Sequence, residues 1–147
     1  MYKRVLVAVD GSETAEAILP FIVQLAGPLD LDVILLRASP STPIVELEAA
    51  RMISEVYLAD LAKGIAGHGL QVETVVRIGA PTETILAVAR EKGADLIAMT
   101  THGRTGPSRL LFGSVAEGVL RESLVPVLLL KQSERDLERR RAEGRSR

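Results

Sequence analysis

Between Thr100 and Ser114 the chain reads TTHGRTGPSRLLFGS. Gly103, Gly106 and Gly113, two arginines (Arg104 and Arg109) and several hydroxyls lie between an apolar run, DLIAM, and a helix-like run, VAEGVLRES. Glycines let a backbone approach a ligand closely, and successive backbone N–H groups form a concave site for an anion. Gly103 is followed by nine residues and then by Gly113-Ser114 at a helix start. The first N–H groups of a helix lack internal acceptors and carry the positive end of its dipole, so phosphate oxygens suit that place. Each charge-assisted hydrogen bond there is worth about 1.5–3 kcal/mol net. Spacing alone leaves a second reading open. Ser114 and Glu117 form an S-x-x-E capping box, and the glycines merely turn the chain.

Stricter nucleotide motifs are absent. There is no G-x-x-x-x-G-K-[ST], and no G-x-G-x-x-G follows the first apolar run. His102, before Gly103, is a conceivable general base or a neutral imidazole that fixes the loop. His68, between two glycines, reads as an exposed turn residue, Gly106-Pro107 as the shaper of an outer loop, and Arg109 and Arg121 as surface residues. The absence of cysteine excludes disulfides, thiolate metal sites and cysteine nucleophiles, and it fits a reducing compartment. Efficient ATP cleavage needs charge stabilisation at the γ-phosphate. The loop has no lysine and the chain shows no acidic pair to hold two metals, so at most slow hydrolysis is expected and no catalytic residue is assigned. A flavin carrier is disfavoured by the lack of tryptophan and by only two tyrosines and two phenylalanines.

Five apolar runs must position these residues: RVLVAV (4–9), DVILLR (32–37), VETVVRI (72–78), DLIAMT (95–100) and PVLLLK (126–131). Four are apolar nearly throughout, as strands of a parallel sheet covered on both faces are. The third alternates and suits an edge. Helical patterns lie between them. Residues 13–26 keep a 3.6-residue period and meet Gly27-Pro28, and 44–66 carry Val45, Leu47, Met52, Ile53, Val56, Leu58 and Leu61. Pro81 opens a third helix and Gly93 closes it, and Ser114 opens a fourth. The alternation predicts an α/β fold, a single doubly wound five-stranded parallel sheet of order 3-2-1-4-5 with helices on both faces. Such sheets bind ligands beyond the carboxyl ends of the strands where strand order reverses, here between the first and fourth strands. DGSE (10–13) and TTHGRTG (100–106) follow those two strands.

At 147 residues the chain suits roughly one domain with a core of its own. A net charge of −1 gives no general attraction to nucleic acid or acidic membranes. The N-terminus lacks the apolar stretch of a signal peptide, and no window approaches the ~20 apolar residues of a membrane span, so a cytoplasmic protein is expected. Residues 132–147 hold six arginines, four acids and one leucine. They are expected to form a solvated, flexible, partly helical tail beyond a domain of residues 1–131, with little effect on stability when removed. A partner-binding or nucleic-acid-binding arm is the alternative.

The string MTTHGRTGPSRLLFGSVAEGVLRESLVPVLLLK, together with VLVAVDGSE and VILLRAS, resembles the universal stress protein family over residues 1–131. Its nucleotide loop, G-x-x-G, nine residues, G-[ST], aligns with Thr100-x-x-Gly103 and Gly113-Ser114; Thr100 stands where the pattern has its first glycine. The resemblance implies a Rossmann-like, adenine nucleotide hydrolase-like fold that binds ATP with Mg²⁺ and regulates a stress response through its bound state. It implies that Ala8, Val9 and Asp10 border adenosine, with Asp10 near the ribose or a metal-bound phosphate, and that no metal is held by the protein alone. Ala38 would meet the adenine edge, Met99 and Thr100 the ribose side, and Gly103, Gly113, Ser114, Val115 and Ala116 the phosphates. Arg104 would reach phosphate or solvent. It also implies a homodimer joined through the strand at 126–131. Family members without ATP, acting as dimeric interaction proteins, supply the competing expectation.

Overall fold

A computed structural model describes residues 1–40, 43–102 and 113–145. In chain order the elements are β1 (Arg4–Ala8), α1 (Glu13–Glu16), α2 (Leu19–Leu29), β2 (Asp32–Ser39), α3 (Ile44–Ala66), β3 (Val72–Ile78), α4 (Pro81–Glu91), β4 (Leu96–His102), α5 (Ser114–Glu122), β5 (Val127–Gln132) and α6 (Glu134–Arg145). The five strands form one parallel sheet in the order β3-β2-β1-β4-β5. The α/β fold and its strand order are those expected from the sequence.

The unbroken apolar runs have a simple cause. Along β1, Val5 and Val7 point to one face of the sheet and Leu6 to the other, and both faces are covered. The first face packs with Ile18 and Ile22 around α1 and α2 and with Leu58 and Ile65 of α3. The second packs with Ile85 and Val88 of α4 and with Ala116 and Val119 of α5. Each large side chain buried this way stabilises the fold by about 1.5–3 kcal/mol. Leu6 lies between Ile34 and Ile97 in register and is fully buried.

Three local details depart from the sequence reading. The helix over 13–26 is two helices, divided at Ala17 and Ile18. Gly27-Pro28 does not stop α2: Pro28 lies inside its last turns, and the helix ends where Asp30 turns left-handed at φ 52°. A proline costs one intrahelical bond there, and the left-handed residue is what reverses the chain. The last strand runs Val127–Gln132, and Gln132 is buried.

Residues 134–145 form a helix that touches the domain. Ser133 and Asp136 cap it reciprocally: the Asp136 N–H donates to Ser133 Oγ at 3.2 Å, and the Ser133 N–H donates to Asp136 Oδ2 at 3.0 Å. The Arg140 guanidinium lies over the Phe21 ring at 4.9 Å and donates to the Ala17 carbonyl at 3.3 Å. Arg141 forms a two-pronged ion pair with Glu13, one arm at 2.8 Å.

Candidate functional site

The carboxyl ends of β1 and β4 part where the chain crosses from one face of the sheet to the other. Beyond β1, the Val9 N–H donates to the Leu36 carbonyl at 3.0 Å, which keeps the chain beside β2 for one more residue. Asp10 then makes the turn. Its Oδ1 accepts from the Ser12 N–H at 2.9 Å and from Ser12 Oγ at 2.5 Å, and Ser12 Oγ accepts from the Ala15 N–H at 3.1 Å to start α1. Gly11 is required between them, because its φ is 89° and a Cβ would lie 3.3 Å from Nη2 of Arg37.

Arg37 is itself held over the ring of Tyr57 at 5.1 Å, so the turn rests on a stacked pair. Burial, reinforced by the Glu16 carboxylate beside it, pushes the Tyr57 phenol far above its ordinary range. The phenol oxygen feels that carboxylate without being in hydrogen-bond geometry with any described residue. Tyr57 therefore stays neutral and serves as a support.

On the other side of the switch point, Thr100 donates from Oγ1 to the Ala15 carbonyl at 3.2 Å. Gly113 begins the next helix with φ 86° and ψ 160°, and nothing described lies within 4 Å of where its Cβ would be. Gly113 is the cap residue and Ser114 the first residue of α5, with no side-chain capping bond. The capping box read from Ser114 and Glu117 is thus not formed. The Glu117 N–H bonds to the Gly113 carbonyl. The N–H groups of 114–116 belong to the turn of the helix that has no acceptor of its own.

These pieces enclose a cleft of about 240 Å³ lined by Ala8, Val9, Asp10, Ala15, Ala38, Pro81, Ile85, Met99, Thr100, Thr101, Gly113, Ser114, Val115 and Ala116. The structure therefore brings Ala8, Val9, Asp10, Ala38, Met99, Thr100, Gly113, Ser114, Val115 and Ala116 around one space. Gly103 and Arg104 lie outside the described residues, as do Gly106, Pro107 and Arg109. His68 is exposed in its turn, away from the cleft.

Four lining residues escaped the sequence reading: Ala15, Thr101, Pro81 and Ile85. Thr101 adjoins Thr100 and was within reach of the loop argument. Pro81 and Ile85 come from α4, which packs on α5; only the tertiary pairing of those helices brings them to the site. The walls are apolar (Ala8, Val9, Ala38, Ile85 and Met99), with polar groups at Asp10, Thr100, Thr101 and Ser114. A small planar ligand carrying an anionic tail suits such a lining. Among the described residues no group of three or more His, Cys, Asp or Glu is arranged to hold a metal ion, and no helix is long and apolar enough to cross a membrane.

Comparison with known proteins agrees with this architecture. Residues 1–131 match the universal stress protein family. The universal stress protein MJ0531 of Methanocaldococcus jannaschii is 31% identical over 146 residues, covering 92% of this chain and 86% of the relative. The solved structure of MJ0577 from the same organism superposes with a TM-score of 0.76 at 32% identity, over 90% of this chain and 97% of that one. A crystal structure of a universal stress protein in complex with cAMP superposes with a TM-score of 0.68 at 27% identity, over 88% of this chain and 97% of that one. With the sheet order, the cleft at the switch point and a family match over nearly all of the chain outside α6, this protein belongs to the universal stress protein family.

Proposed function

We propose that the chain is a nucleotide-dependent regulatory protein that binds ATP with Mg²⁺ in the cleft between β1 and β4. The observation that carries this reading is the convergence of three strand ends and the start of α5 on one cleft with apolar walls. Adenine lies beside Val9 and the backbone of Ala38, the ribose beside Asp10, Met99 and Thr100, and the phosphates on the N–H groups of Ser114, Val115 and Ala116. The family's loop pattern assigns Gly103 and Arg104, outside the described residues, to the phosphates as well. Bound Mg²⁺ would neutralise phosphate charge. Asp10 is the carboxylate of the cleft that could face it, although its Oδ1 already serves Ser12. The relative solved with cAMP supports an adenine nucleotide as the ligand class.

A second reading, a homodimer joined through residues 126–131, rests on β5. It is an edge strand, and its Leu128 is 39% exposed while Leu124 before it is 97% exposed. An open apolar edge is a template for pairing. Two subunits joined there would each keep a nucleotide cleft. The dimer thus accompanies nucleotide binding, and it is the whole function if the cleft stays empty.

Calorimetric titration of ATP-Mg²⁺ tests the nucleotide reading. Gly113→Val should abolish binding, but its left-handed φ also strains the fold. Ser114→Asp is the cleaner variant. An acidic residue in the first turn of α5 suits the helix dipole and keeps the protein folded, while its charge repels phosphate. Saturable binding by the wild type and its loss in a fully folded Ser114→Asp variant is the expected result. No binding by the wild type, or equal binding by the variant, would overturn it.

A further inference from the structure

Helix α3 is apolar on two opposite sides. One side, with Ser54, Leu58 and Ile65 buried and Tyr57 and Leu61 beside them, packs against the sheet. The other carries Val45, Ala49, Met52, Val56 and Ala59, all exposed, with Ile53 at their flank. Val45 is 93%, Met52 63% and Val56 61% exposed. Their separations of four, three, four and three residues form the seam by which one α-helix packs along another. Among the described residues nothing covers this seam.

We propose that the outer face of α3 docks a basic amphipathic helix of a partner protein. Charge selects that occupant. The positions flanking the seam are Glu48 and Glu55 on one side, and Glu46, Ile53 and Asp60 on the other. Arg51 pairs with Glu55 at 3.2 Å, but both side chains are more than half exposed, so the pair is weak and exchanges readily. A helix with Lys or Arg beside its own apolar seam would meet this acidic border on both sides.

Other occupants meet the same charges with the wrong sign. Two copies of α3 packed antiparallel would set Glu48 against Glu55 in one register, and Glu46 against Asp60 with Glu55 against its own copy in the next. Packed parallel, they would set Glu55 against Asp60. Like charges at these positions decide against pairing. An anionic membrane surface is repelled for the same reason. The chain's own basic helix, α6, has only Leu137 and Ala142 as apolar side chains and offers no seam.

The probe is a fluorescent peptide of about three heptads with Leu at the seam and Lys at the flanks. The control peptide has Glu at the flanks. Anisotropy is measured with the full-length protein. The Lys peptide should bind saturably and weaken with added salt. Its affinity should drop about tenfold or more in Met52→Ser/Val56→Ser and in Glu48→Lys/Glu55→Lys. These positions are exposed, so circular dichroism and melting temperature should match the wild type. The proposal is overturned by no saturable binding at about 100 μM peptide (a Kd weaker than about 0.1 mM), by equal binding of the two peptides, or by binding indifferent to both double variants. Sedimentation showing self-association that Met52→Ser/Val56→Ser dissolves would assign the face to a second copy instead. Binding to phosphatidylserine vesicles through the same residues would assign it to a membrane.

Discussion

The hydroxyl of Thr100 donates to the carbonyl of Ala15 across the mouth of the cleft, at 3.2 Å. Ala15 lies in α1, a helix of four residues, and the last carbonyls of a helix have no donor of their own. Thr100 supplies one. The residue that replaces the first glycine of the family's loop thus ties β4 to α1, which follows the Asp10 turn, and its hydroxyl is engaged with protein.

Thr100→Val keeps the branched shape and removes the donor. Stability should fall by about 0.5–1.5 kcal/mol, the usual net worth of one such bond, and Thr100→Ser should recover most of it. Urea denaturation measures both. If valine and threonine prove equally stable, the bond contributes nothing and α1 is held by packing alone.

A Cβ on Gly118 of α5 would lie 2.7 Å from Cγ2 of Thr82 on α4. Gly118→Ala should therefore push the two helices apart, at a cost of about 1–3 kcal/mol. The cleft takes Pro81 and Ile85 from one helix and Ser114 and Val115 from the other, so nucleotide affinity should fall with stability. Adding Thr82→Ala removes the obstructing methyl and should restore much of the loss. A double-mutant cycle without coupling between the two sites would refute this account.

The docking of α6 should be sensitive to acid. The Arg141 hydrogen bond holds the Glu13 carboxyl below its ordinary 4.5, and Ser133 holds Asp136 below its ordinary 3.8. Both groups have lowered values in the folded protein. Their stabilisation is complete above the ordinary carboxylate values and is lost as pH falls below these and through the lowered folded-state values. Hydrogen exchange of 134–145 should be protected at neutral pH and lose protection below about pH 4, before the sheet does. Simultaneous loss in sheet and helix would show that α6 is no separate unit.

Deleting 133–147 should cost more than the sequence alone suggests, though little. The described contacts include Arg140 stacked on Phe21 and bonded to the Ala17 carbonyl, and the exposed Arg141–Glu13 ion pair. An exposed stacked arginine is worth about 0.5–1 kcal/mol and an exposed ion pair adds little. A domain of this size loses about 2–4 °C in melting temperature per kcal/mol. A drop of a few degrees is expected in a calorimetric scan, with nucleotide affinity nearly unchanged. A collapse of the domain would mean that α6 is part of the core.

The sheet was legible because its inner strands are buried on both faces, which leaves apolar runs such as VLVAV and DVILL with few alternatives. The place of the cleft was legible too, since the loop glycines and the Asp10 turn announce where the strands end, while its individual residues were supplied by the family resemblance. Pro81 and Ile85 came from neither, because they reach the cleft only through the packing of α4 on α5. In α3 the periodicity misled: Val45, Met52, Ile53 and Val56 look like core residues yet face outward. A helix apolar on both sides has two periods of the same length, and nothing in the chain says which one meets the sheet. Ser114 failed as a cap for a different reason. Gly113 takes the cap position with a left-handed φ, and the helix starts one residue earlier than the capping box would have it.

The two borders of the sheet differ in kind. Along β3, Glu73 is paired with Lys92 and Arg77 with Glu91, so ionic side chains from the strand and α4 guard that border. The border at β5 carries leucines and no such guard among the described residues. If two subunits pair through β5 as proposed, a β3 border faces outward at each end. A chain of subunits cannot continue past such a terminus. On that proposed pairing, association through the sheet is finite, because each subunit offers one unguarded border and spends it on its partner.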